Sequence, residues 1–63
     1  MIYKGFLINT KKENEGYSLF ACRQSDNWIL VDEWNPSLKT KQEALEEMKI
    51  IIDDYIANPE HYE

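Results

Sequence analysis

The segment TKQEALEEMKIIIDDYIANP, residues 40–59, decides the fold. Thr40 is followed three residues later by Glu43, the spacing of a capping box. In that motif the hydroxyl accepts from one backbone amide and the carboxylate reaches back to the other. The segment ends at Asn58-Pro59, where proline has no amide to continue the ladder and its ring clashes with the turn before it. The stretch between these signals predicts a helix over 41–57. Such a helix is about 25 Å long at about 1.5 Å per residue. That is the length of a strand of seven or eight residues at about 3.3 Å each.

Ile50, Ile51 and Ile52 stand in a row on this helix, yet successive helical side chains point about 100° apart. Ala44, Leu45, Met48, Ile51, Ile52, Tyr55 and Ile56 gather into one broad apolar face, the expected packing face. Ile50 falls nearly opposite, among Glu43, Glu46, Glu47, Asp53 and Asp54. These six residues form the first candidate binding surface. An apolar anchor inside an acidic rim suits a protein partner with a small pocket ringed by Lys or Arg.

Upstream, the chain reads as strands. IYKGFLIN (2–9), GYSLFACR (16–23) and WILVDEW (28–34) are rich in β-branched and aromatic residues. TKKENE (10–15) reads as a polar hairpin loop, and QSDN (24–27) as a short turn of the residues turns prefer. Short connections imply antiparallel neighbours. NPSLK (35–39) leads out of the sheet, with proline holding Asn35 away from helical geometry. EHYE (60–63) reads as part of a frayed end over 58–63. The expected fold is a single small α+β domain, a three-stranded antiparallel meander packed against one C-terminal helix.

One helix covers one sheet face. Alternation then leaves large apolar groups on the other, a patch that suits a second copy of the chain or a partner surface. Tyr3, Tyr17, Trp28 and Trp34 are the candidate contacts of that open face.

Composition narrows the function. The 63 residues form one domain at most, and a domain this small is marginal without a staple or an efficient core. Cys22 is the only cysteine, so no intrachain disulfide and no cysteine-rich zinc site can form. A free thiol fits a reducing cytoplasm. The opening MIYKGFLINT lacks the apolar core of a signal peptide, and no apolar run has the length of a membrane span. The net charge is −5 and uneven. Residues 1–31 carry four basic and three acidic groups, whereas residues 32–63 carry three basic and nine acidic ones. An acidic second half disfavours nucleic acid and anionic membranes and favours a basic partner.

No catalytic constellation is evident. His61 is the only histidine, and it stands near the end of the chain. Asp32-Glu33 and Asp53-Asp54 are adjacent pairs whose side chains diverge on a strand or a helix. Gly5 and Gly16 do not make a phosphate-cradling loop. The reading is of a non-enzymatic module with no cofactor and no metal. Stacking of single-stranded bases on the sheet aromatics would also need a positive groove. Only Lys4, Lys11, Lys12 and Arg23 could supply one.

ENEGYSLFAC (13–22), followed by KTKQEALEEMKIIIDDYI (39–56), resembles the HicB-like antitoxin domains. These combine a D/E-x-G-Y strand start with a T-x-x-E-A-L helix in β-β-β-α order. The resemblance implies neutralisation of a small basic toxin. The chain departs from it in lacking a P-x-x-x-G segment before the helix. LKTKQEA (38–44) is similar to the helix start in the arm-binding domain of phage-type integrases, which read DNA with a basic sheet; this chain is acidic. Both resemblances suggest a bacterial or phage style of protein. The expected function is an acidic, cytoplasmic protein-interaction module. The alternatives are a HicB-like antitoxin and a DNA-mimicking inhibitor with carboxylates spaced along the helix.

Overall fold

The computed structural model describes residues 1–62 and has an α+β architecture, an antiparallel sheet covered on one face by a C-terminal helix. The sheet has four strands, β1 (Ile2–Tyr3), β2 (Phe6–Lys12), β3 (Tyr17–Arg23) and β4 (Trp28–Asn35), ordered β1-β2-β3-β4. The helix α1 is Lys41–Ala57, and Pro59–His61 form one 3-10 turn.

The expected count of three strands is corrected to four, because residues 2–9 are not one strand. Lys4 (φ 48°) and Gly5 (φ 85°) both adopt left-handed backbone and fold the chain back as a two-residue hairpin. Two consecutive left-handed residues are what a primed turn needs to match the twist of the flanking strands. Ile2 therefore pairs with Leu7, and Tyr3 with Phe6. The second strand continues to Lys12, so residues 10–12, expected in a loop, are paired.

The loop between β2 and β3 is closed by the Glu13 amide donating to the Gly16 carbonyl at 3.1 Å. Gly16 has φ +75°, and a Cβ there would stand 2.1 Å from the Asn35 carbonyl oxygen. Only glycine fits this position. Between β3 and β4, the Arg23 guanidinium donates through Nε and Nη2 to the two Asp26 carboxylate oxygens at 3.0 and 2.8 Å. Asp26 Oδ1 also accepts from the Trp28 amide at 3.1 Å. One carboxylate thus organises the whole turn.

β4 contains a bulge. Ala21 faces Val31 and Cys22 faces Ile29, which leaves Leu30 as the extra residue. A bulge inserts one residue and resets the alternation. Trp28 and Val31 therefore share the helix-covered face despite their odd spacing.

The helix begins and ends where the sequence predicts. Glu43 N donates to Thr40 Oγ1 at 3.1 Å, and Thr40 N donates to Glu43 Oε1 at 3.2 Å, completing the capping box. The core is Phe6, Ile8, Leu19, Ala21 and Val31 from the sheet, closed by Ala44, Met48, Ile52 and Tyr55 from α1. The expected packing face is narrower than its sequence reading. Leu45 and Ile51 are its half-buried flanks, and Ile56 is half exposed.

Where a frayed end is expected, the chain turns over Pro59–His61 and lays Tyr62 against Tyr55, ring centroids 5.8 Å apart. Glu63 lies outside the described residues. Among the described residues, no helix is long and apolar enough to cross a membrane.

Candidate functional site

Two surfaces stand out: the outer face of α1 and the sheet face that α1 leaves uncovered.

Ile50 is 62% exposed, on the side of α1 away from the sheet. Glu46, Glu47, Asp53 and Asp54 lie three or four positions from it, which on a helix makes them its surface neighbours. Most of these carboxylates are engaged within the molecule. Asp53 accepts from Lys4 Nζ at 2.9 Å and from the Tyr3 hydroxyl at 3.0 Å. The hydrogen bond from Lys4 holds the Asp53 carboxyl below the usual carboxylate range, and Asp53 in turn raises the Lys4 ammonium. Asp54 accepts from the Tyr62 hydroxyl at 2.6 Å, which pushes that phenol upward. Glu46 accepts from Gln42 at 3.2 Å. Glu43 is committed to the cap and also accepts from the Lys39 amide at 2.7 Å. The six residues predicted from the helical spacing thus fall on one solvent-facing side. Ile50 is their apolar point, and Glu43 is a structural member of the helix start.

The four aromatics assigned to the open sheet face do not stay together. Tyr3, Tyr17 and Trp28 stand on the helix-covered side, where they pack against the core. The Arg23 guanidinium lies 4.9 Å from the Trp28 ring and donates to the Tyr55 hydroxyl. Of the four, Trp34 alone is on the open face, opposite Ser18. Its indole N–H donates to the Glu15 carbonyl at 2.6 Å, fixing the ring beside the β2–β3 loop. A shallow, open cleft of about 560 Å³ lies there, lined by Glu13, Glu15, Asp32, Glu33 and Trp34 among others.

The open face is instead built by residues that the register brings into rows. Ile2, Leu7, Cys22 and Ile29 are successive partners and form an apolar line across all four strands. Asn9, Phe20 and Asp32 form the next row, and Lys11, Ser18 and Trp34 the third. Leu7 is 42% and Ile29 50% exposed. Alternation along a single strand over 2–9 would put Ile2 on the same face as Phe6 and Ile8, whereas the turn at Lys4-Gly5 pairs it with Leu7 on the open face. The glycine at position 5, inside an otherwise strand-like run, is the signal that would have moved it.

Among the described residues, no group of three His, Cys, Asp or Glu side chains is arranged to hold a metal ion. No family model, curated protein or solved structure matches the chain.

Proposed function

We propose that the chain is a small, acidic, non-enzymatic protein-interaction module, and that the outer face of α1 docks on a basic protein partner. Ile50 enters an apolar pocket, and Glu46, Glu47, Asp53 and Asp54 meet the lysines or arginines around it. The single observation that carries this reading is Ile50, 62% exposed and flanked by those four carboxylates. A central apolar anchor supplies affinity, and the charged rim supplies orientation and association rate. Under the antitoxin resemblance, the partner would be a small basic toxin bound stoichiometrically.

The test is affinity capture from source-cell lysate with mass spectrometry, comparing the wild-type chain with folded Ile50→Lys. A basic partner retained by the wild type, lost on the variant and weakened by added salt supports the reading. A partner retained equally by both removes Ile50 from the interface and overturns it.

A further inference from the structure

We infer that the open sheet face is the contact surface of a homodimer, with the two-fold axis lying between the sheets and running along β3. The inference rests on the register of the open face and is independent of the helix-face reading.

The three rows define a grid. β2 contributes Leu7, Asn9 and Lys11, β3 contributes Cys22, Phe20 and Ser18, and β4 contributes Ile29, Asp32 and Trp34. A two-fold axis along β3 exchanges β2 of one copy with β4 of the other and keeps each row in place. Leu7 then meets Ile29 of the second copy, Asn9 meets Asp32, and Lys11 meets Trp34. These are an apolar pair, an amide with a carboxylate and an ammonium with an indole, and each occurs twice. Phe20 meets its own counterpart at the centre. A two-fold interface must be self-complementary in this way. An axis across the strands would exchange the first row with the third and set Leu7 against Lys11. The face therefore fits itself in one orientation and not in the other.

The area agrees with a weak dimer. Strands about 4.8 Å apart, with side chains on one face repeating every second residue, give a face of roughly 20 by 20 Å. Two such faces total about 800 Å², below the roughly 1,200–2,000 Å² class of specific interfaces and in the range of weak, transient contacts. Each copy carries a net charge of −5, so bringing two together is opposed by long-range repulsion. Added salt should screen that repulsion and tighten the dimer. The order of layers would be helix, sheet, sheet, helix, leaving both copies of Ile50 on the outside.

Analytical ultracentrifugation of the wild-type chain, Leu7→Lys, Ile29→Glu and an equimolar mixture of the two variants tests this pairing. Far-UV circular dichroism first establishes that each variant is folded, as the exposure of both side chains leads one to expect. The expected result is a wild-type dimer that tightens with salt, monomers for each variant alone, and a dimer restored in the mixture. Restoration follows because the lysine introduced at position 7 of one variant would then face the glutamate introduced at position 29 of the other, while the second Leu7–Ile29 pair stays intact. A wild-type chain that stays monomeric at about 1 mM overturns the inference. So does a wild-type dimer that either variant leaves intact, or one that the mixture fails to restore. Should neither variant fold, the wild-type chain alone decides through its concentration and salt dependence.

Discussion

Lys4 and Asp53 are 49 positions apart in the chain, and their charged groups meet at 2.9 Å. The contact ties the β1–β2 turn to the outer edge of α1. It also secures a residue held at φ 48°, where a non-glycine side chain is uncommon.

Lys4→Met should raise the Asp53 carboxyl toward the usual carboxylate range, an effect read by NMR titration of its side-chain resonances. The sign for stability follows from the lowered Asp53 value. Its contribution is fully present above the unfolded-state value of about 3.9 and is lost as the pH falls through the lower folded value. The raised Lys4 value acts at the other end. Its contribution is present below about 10.4 and is lost as the pH rises through the higher folded value. Both groups face water, so the pH dependence should be shallow and weakened by salt. Urea midpoints measured across both ranges, wild type against Lys4→Met, check the two signs.

Gly16→Ala should be far more damaging than Gly5→Ala. Both glycines have positive φ, but only at Gly16 would a Cβ collide with backbone, at 2.1 Å from Asn35 O and 2.4 Å from Pro36 Cα. At Gly5 the space is open and only the left-handed backbone is penalised, about 1–2 kcal/mol. A domain of this size has a total stability of about 3–9 kcal/mol. Urea denaturation should show Gly5→Ala folded with a lower midpoint and Gly16→Ala largely unfolded or rearranged at the loop.

Met48→Ala and Ile52→Ala remove side chains that are fully buried between helix and sheet. Each should cost about 2–5 kcal/mol, comparable with the whole stability of the domain. Ile50→Ala, two positions from each, should change stability by no more than about 0.5 kcal/mol. Thermal denaturation of the three variants measures the contrast directly.

Thr40→Ala should cost about 1 kcal/mol, since it removes the acceptor for the Glu43 amide. Thr40→Ser should restore most of it. Urea unfolding curves for the two variants make this comparison.

The helix was legible in the sequence because its signals are local. Thr40, Glu43 and Pro59 act on backbone groups within a turn of themselves, and the 100° step places Ile50 without any knowledge of the sheet. Ile56 escaped that reading because its exposure depends on how far the sheet reaches under the last turn of α1. The split of the first strand was hidden for a different reason. Lys-Gly is not the Asn-Gly or Asp-Gly pair that usually marks a primed hairpin turn, and the residues around it all favour strands. The bulge at Leu30 has no local signature. It is visible only in the pairing of Ala21 with Val31 and Cys22 with Ile29. The split decides the face of Tyr3 and the bulge that of Trp28, so neither could be placed from alternation alone, whereas Tyr17 simply alternates with Leu19 and Ala21 along the unbroken β3. The outer face of α1 needed no such information, and its six residues came out on one side.

The strand order β1-β2-β3-β4 has a kinetic consequence. Every strand pairs with its neighbour in the chain, so each pairing closes only a short loop and loses little chain entropy. Hairpins of this kind form within about 1–10 µs. The one distant event is the seating of α1 on β2 and β3, which brings Met48 and Ile52 back across much of the chain to Phe6, Ile8, Leu19 and Ala21. Topologies with mostly local contacts fold fast. A chain this marginal thus returns quickly to its native state after each excursion and spends little time with its strand edges open to aggregation.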